Sequence, residues 1–127
     1  MIHEREAHED GLRIISDFPD VTGVFHCFSG SYEMAKELVK RGWYIGFTGV
    51  VTFKNARKAV EVAEKIPLDR ILIETDCPYM APEPVRGTRN DSRNIAHVAA
   101  YIGTIWDMDA QAVLDQTAEN ARRCFGL

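Results

Sequence analysis

The chain has 127 residues, of which 46% are hydrophobic and 27% charged, and a formal net charge of −4. This composition excludes a chain that is disordered throughout, and the length fits a single domain spanning residues 1–127. No apolar run approaches the ~18 residues that cross a bilayer, so we expect no membrane partner.

The apolar pattern predicts alternating strands and helices. Ala56, Ala59, Val60 and Ala63 lie at helical spacing on one stripe, and Ser31 is placed to cap the helix that follows it. In chain order we expect a strand stub at 2–3, a helix at 4–17, a strand at 23–28, a helix at 31–40, a strand at 43–48, a helix at 55–66, a strand at 70–75, an irregular stretch at 77–91, and helices at 93–106 and 109–125.

Strands with continuous apolar sequence, alternating with helices, are typical of a parallel sheet covered by helices. We therefore predict an α/β fold. In such folds the chemistry lies at the carboxyl ends of the strands, whether the sheet is open or closed into a barrel.

Three candidate metal ligands lie at predicted strand ends: His3, His26 and Asp76. Because the carboxyl ends of parallel strands meet at one edge, two imidazoles and a carboxylate there suit Zn²⁺, Mn²⁺ or a similar ion. Glu74 and Asp76 also share one strand face, where isolated carboxylates need a positive partner. A metal would supply that partner, and Arg89 would supply part of it.

Each of these residues also has an ordinary structural interpretation. A strand histidine such as His26 is often a hydrogen-bonded core or edge residue, Asp76 precedes Pro78 and suits a turn, and His3 would simply be exposed near the terminus. Arg89 lies in a polar loop where it would either hold a phosphate or face solvent. From the pattern alone, a metal site and its absence are equally supported.

The three cysteines, Cys27, Cys77 and Cys124, are odd in number and form no CxxC pair. Their pattern disfavours a cysteine zinc site and indicates reduced thiols. We therefore expect a cytoplasmic protein.

Several motifs resemble the TatD family of metal-dependent deoxyribonucleases, and the resemblance extends over essentially the whole chain. They are Ile-His-Glu-Arg-Glu-Ala at 2–7, His-Cys-Phe-Ser-Gly at 26–30, Tyr-Ile-Gly-Phe-Thr-Gly at 44–49, Glu-Thr-Asp-Cys-Pro-Tyr at 74–79, Arg-Gly-Thr-Arg-Asn at 86–90 and Asn-Ala-Arg-Arg-Cys-Phe-Gly-Leu at 120–127.

The resemblance implies a (β/α)8 TIM barrel that hydrolyses DNA phosphodiester bonds with one or two divalent ions, Zn²⁺, Mg²⁺ or Mn²⁺. By position, His3, His26 and Asp76 would be metal ligands. Asp76 would also act in catalysis, by orienting or deprotonating the attacking water. Glu74 would be a carboxylate behind the ligands, and Arg89 would contact the substrate phosphate.

The chain departs from the family in length, since a TIM barrel needs about 250 residues. It resembles only the carboxyl-terminal half, and the family's His-x-His and its middle-strand glutamate have no counterpart in this sequence. We therefore expect the carboxyl-terminal half of a (β/α)8 TIM barrel.

Four interpretations of this half barrel follow. The chain is a truncated piece of an enzyme, a half barrel that pairs with a second copy through its open sheet edges, a metal-binding or interaction module without turnover, or a hydrolase of small esters or amides.

Overall fold

The computed structural model describes residues 1–4 and 7–127. The elements are β1 (Ile2–His3), α1 (His8–Ser16), β2 (Val24–His26), α2 (Tyr32–Lys40), β3 (Tyr44–Phe47), α3 (Arg57–Lys65), β4 (Ile71–Ile73), α4 (Ile95–Trp106) and α5 (Ala110–Phe125), with short 3-10 turns at Gly49–Thr52, Leu68–Arg70 and Ser92–Asn94.

The elements follow the predicted order, with most ends one to three residues shorter than predicted. Ser31 caps α2 as expected, since its hydroxyl accepts the Met34 N–H at 3.3 Å. The helix predicted at 4–17 begins at His8, and its portion at residues 5 and 6 lies outside the described residues.

The four strands form one parallel sheet in the order β1-β2-β3-β4, which confirms the predicted α/β architecture. Even the two-residue β1 is paired, with Ile2 opposite Phe25 and His3 opposite His26. This register sets the two imidazoles side by side on neighbouring strands.

One face of the sheet carries the main core. Phe25, Ile45 and Ile71 lie in register across β2, β3 and β4, each no more than 1% exposed. Buried side chains of the helices pack on them: Leu38 of α2, Val62 of α3, Val98 and Ile102 of α4, and Val113 of α5. Full burial of one such side chain contributes about 1.5–3 kcal/mol, so this face dominates the stability of the fold.

The opposite face carries two kinds of side chain. Val24, Tyr44 and Leu72, here called the apolar row, are buried beneath Ala121 and Cys124 of α5. The next positions on this same face are His26 in β2, Gly46 in β3 and Glu74 directly after β4. These three residues are called the polar row.

Helix α5 is fixed to the sheet by one fully buried amide. Asn120 donates through Nδ2 to the carbonyl oxygens of Leu68, at 2.9 Å, and Ile71, at 2.8 Å, at the start of β4. This anchor holds α5 near the apolar row.

Across the described residues, the helices are too short or too polar for any of them to traverse a lipid bilayer.

Candidate active site

The candidate site lies where the strands end at the carboxyl edge of the sheet. His3 ends β1, His26 ends β2, and Asp76 follows β4 by three residues. The rings of His3 and His26 are 5.5 Å apart between centroids and are tilted by 40°. The structure thus brings the predicted residues from three strands to one edge.

Glu74 holds the His26 ring in place. The Nδ1 atom of His26 lies 2.8 Å from Oε1 of Glu74, and the backbone N–H of Cys27 donates to the same oxygen at 2.5 Å. Cys27 has a positive φ of 47°, a left-handed conformation that costs a non-glycine residue about 1–3 kcal/mol. With Nδ1 engaged, the Nε2 atom of His26 is the nitrogen left for a ligand.

Gly46 makes this contact sterically feasible. Glu74 follows β4, His26 ends β2, and β3 lies between them, so the Glu74 side chain must cross β3. A Cβ atom at position 46 would lie 2.7 Å from Oε1 of Glu74. Sequence reasoning missed this role, although a glycine inside a strand is a known sign of close approach by another group.

Asp76 faces the free nitrogen of His26. Its Oδ1 atom lies 3.6 Å from Nε2 of His26. Two donors that bind one ion tetrahedrally at about 2.1 Å are roughly 3.4 Å apart. The donor types and their spacing therefore fit a shared divalent ion, and the Glu74–His26 contact reproduces the carboxylate support that metal-binding histidines usually have.

His3 stands next to this pair and is exposed to solvent. Within residues 1–4 and 7–127, no three His, Cys, Asp or Glu side chains converge closely enough to hold a metal ion. The structure therefore forms a two-residue donor pair with His3 beside it, and the three-ligand set stays a prediction.

Asn90, which the sequence did not single out for this role, orders the loop that carries Asp76. Its side chain is 3% exposed and donates through Nδ2 to the carbonyl oxygens of Thr75, at 2.8 Å, and Tyr79, at 2.7 Å. Because both carbonyls flank Asp76, the amide fixes the turn in which Asp76 has a φ of +55°. Its burial gave no signal in the sequence, since polar loop residues are usually exposed.

Comparison with known proteins gives a family assignment. The model of the TatD related DNase family matches residues 1–126. The chain belongs to this family.

Two relatives show how the TatD family aligns with this chain. The chain is 45% identical to the uncharacterized metal-dependent hydrolase YabD of Bacillus subtilis, over 98% of the chain and 50% of YabD. The crystal structure of the TatD homologue YjjV of Escherichia coli matches with a TM-score of 0.89 and 30% identity, over 98% of the chain and 49% of YjjV. The chain therefore spans about half the length of these relatives.

A more distant member of the TatD family has a named activity. The human 3'-5' RNA nuclease TATDN2 is 36% identical over 134 residues, which cover 100% of this chain and 18% of the human protein. These matches do not specify which half of the longer relatives corresponds to the chain. The assignment to the carboxyl-terminal half of a barrel stays a prediction.

A cavity of about 720 Å³ opens beside the donor pair of this TatD-family chain. Its wall includes His3, Asp76 and Cys27. The Cys27 Sγ atom lies 3.6 Å from Sδ of Met80 and 3.7 Å from the Thr48 hydroxyl.

The Cys27 thiol is a poor nucleophile. Burial raises its pKa, the carboxylates of Asp76 and Glu74 raise it further, and the Thr48 hydrogen bond only partly offsets them. The thiol therefore stays protonated near neutral pH, and nucleophilic catalysis by Cys27 is disfavoured.

Arg89 is separate from this cavity. It is exposed and borders a neighbouring hollow of about 650 Å³, together with Cys77, Pro78, Asn90, Asp91 and Ser92. The structure does not bring Arg89 to the wall of the cavity that His3 and Asp76 share. Its contact with a substrate phosphate stays a prediction.

Proposed function

We propose that this chain forms part of a metal-dependent hydrolase that cleaves DNA phosphodiester bonds with an activated water molecule. The observation that carries the proposal is the His26 ring, held by Glu74 on one nitrogen and facing Asp76, at 3.6 Å, with the other. The family description, the metal-dependent hydrolases among the relatives and the human nuclease support this assignment.

Each residue of the site has a distinct role in this proposal. His26 offers Nε2 and Asp76 offers Oδ1 to a divalent ion, while Glu74 contacts Nδ1, fixes the orientation of the ring and makes the imidazole a more electron-rich ligand. His3 would complete the ligand set from β1. When bound, a divalent ion lowers the pKa of the water that it holds and polarises a phosphoryl oxygen.

Asp76 also has a role in proton transfer. One carboxylate oxygen faces His26, and the side chain borders the cavity in which a substrate would lie. From there it orients the attacking water and accepts its proton. Arg89, in the neighbouring hollow, would hold a phosphate farther from the reacting atoms.

A second candidate is a metal-binding or interaction half barrel without turnover. It is favoured by one observation: the described residues hold a donor pair but no converging group of three. In this alternative, a second copy of the chain or another polypeptide would pair with the free edges of β1 and β4.

The test is cleavage of a 5'-fluorescein-labelled single-stranded DNA by the purified chain supplied with Mn²⁺ or Zn²⁺. We expect cleavage that EDTA abolishes and that Asp76→Asn lowers by roughly 10³-fold, the middle of the usual range for loss of a general base. Asp115→Asn, on an exposed face of α5, is the matched control and should leave the rate unchanged.

Three outcomes separate the proposals. Metal uptake without cleavage would support the module without turnover. Turnover of a small ester or amide, but not DNA, would support a related hydrolase. Cleavage that persists in EDTA, or in Asp76→Asn, would contradict the proposed mechanism.

A further inference from the structure

The cavity beside the donor pair has a second polar part that the proposed hydrolysis does not use. Besides His3 and Asp76, its wall includes Asn55, Arg57 and Lys58, which surround the start of α3. These residues follow β3, whereas the donor pair comes from β2 and the loop after β4. The cavity thus extends from the predicted metal ligands at the sheet edge to a pair of cationic side chains.

The two cations are not neutralised within the described part of the chain. Arg57 and Lys58 are exposed and form no ion pair with a described acidic residue, whereas Lys65, at the other end of α3, pairs with Glu61 at 2.6 Å. Because the whole chain carries a net charge of −4, this local excess of positive charge differs in sign from the protein as a whole.

Apolar and aromatic side chains line the rest of the cavity. Phe28, Phe47 and Val51 are buried in its wall, and Tyr79 presents a ring that is 71% exposed. Proteins bind single-stranded nucleic acid by cations that contact phosphates and exposed rings that stack on bases, and here Arg57, Lys58 and the exposed Tyr79 supply these two kinds of group. A volume of about 720 Å³ is also within the range of ligand-binding cavities.

We propose that Arg57 and Lys58 form a phosphate-binding rim that holds a flanking phosphate of single-stranded DNA while the scissile phosphodiester lies at His26 and Asp76. This inference rests on the proposed function and adds the residues that hold the substrate next to the bond that is cut. The substrate is an oligonucleotide that extends at least one nucleotide beyond the bond that is cut. A small phosphodiester would reach the donor pair without touching the rim.

The test measures binding separately from cleavage. Fluorescence anisotropy of a fluorescein-labelled oligothymidylate in EDTA reports the dissociation constant of the full chain between 25 and 200 mM salt. The double variant Arg57→Gln/Lys58→Gln removes both charges and keeps side chains that suit a helix. The matched control, Lys36→Gln/Lys40→Gln, removes two exposed charges from α2.

We expect the rim variant to bind at least tenfold more weakly than wild type at the lowest salt. Its plot of log affinity against log salt concentration should be shallower by about 0.7, because the rim holds one phosphate and each phosphate contact on a single strand contributes about 0.7 to the slope. The control variant should stay within about threefold of wild type. Thermal unfolding by circular dichroism checks that both variants are folded.

A parallel cleavage assay separates this inference from the proposed function. On the oligonucleotide the rim variant should lose at least tenfold more activity than it loses on bis(p-nitrophenyl) phosphate, which has no flanking phosphate. Three results would each overturn the proposed phosphate-binding rim. They are an unchanged salt slope in the rim variant, equal losses of DNA affinity in the rim and control variants, and absence of DNA binding by the wild type. Rim-dependent binding without cleavage would instead overturn the proposed function and leave the rim in place.

Discussion

The apolar row and the polar row lie on one face of one sheet, yet the forces that hold them differ. In the apolar row, Leu72 and its neighbours are covered by α5 and are stabilised by burial. In the polar row, Glu74 is held by His26 and the Cys27 amide, and Gly46 contributes by having no side chain. Moving two residues along the chain from each member of the apolar row therefore changes the local role from packing to chemistry.

This difference explains how one face of a short sheet both stabilises the fold and forms the candidate site. The apolar row needs volume and tolerates exchange among side chains of similar size. The polar row needs particular atoms at particular distances, because the 2.8 Å contact between Glu74 and His26 depends on an open path across β3. The rows should accordingly respond differently to substitution, with stability falling in one and metal affinity in the other.

The largest expected effect is on the apolar row. Leu72→Ala should lower the free energy of unfolding by about 2–4 kcal/mol, because a side chain that is 6% exposed loses buried methyl groups and leaves a cavity. Urea denaturation followed by circular dichroism measures this change. Ile14→Ala, at a half-exposed position, is the control and should cost less than about 1 kcal/mol.

The next effect is on the polar row. Glu74→Gln keeps the shape of the side chain but removes its charge, so the His26 ring loses its anionic partner. We expect Zn²⁺ affinity, measured by isothermal titration calorimetry, to fall by about 10–100-fold. Glu119→Gln on the surface of α5 is the matched control, and an equal loss in both variants would contradict the role of Glu74.

Gly46→Ala tests the open path across β3. The added methyl group would lie 2.7 Å from the Glu74 carboxylate and push it away from His26, so we expect about a tenfold loss of Zn²⁺ affinity. In a Glu74→Ala background the same substitution should have little further effect, because residues in contact are not additive. Additive losses in this double-mutant cycle would show that Gly46 acts by another route.

The smallest effect concerns the thiols beside the two rows. Burial raises the pKa of Cys27 near the polar row and of Cys124 over the apolar row, so at pH 8 fewer of these thiols are in the reactive thiolate form. Iodoacetamide should therefore label both several-fold more slowly than the exposed Cys77. The labelling rates of Cys27 and Cys124 should rise steeply as the pH increases. Mass spectrometry of peptides measures the rate at each cysteine, and faster labelling of Cys27 or Cys124 than of Cys77 would contradict the prediction.

Much of the fold could be predicted because its signals are local. Periodicity located the helix stripes, apolar runs located the strands, and Ser31 marked the start of α2. His26 and Asp76 were predicted as neighbours because the carboxyl ends of parallel strands meet.

The missed features depend on contacts between distant parts of the chain. Nothing near Gly46 in the sequence reveals that Glu74 crosses over it, and nothing near Asn90 reveals that its amide is buried against Thr75 and Tyr79. Arg89 lies in the loop that leaves the same edge of the sheet after β4, but that loop places it at a separate hollow. Tertiary geometry decided each of these cases.

The central claim is that the polar row is part of a metal centre, and native mass spectrometry of the purified 127-residue chain with Zn²⁺ or Mn²⁺ tests it most directly. This measurement reports bound metal and the number of subunits together. We predict that the wild-type chain carries at least one ion and that His26→Ala loses it; a dimer would further indicate pairing of the open sheet edges. A wild-type chain that takes up no metal, or a His26→Ala variant that retains it, would contradict the claim.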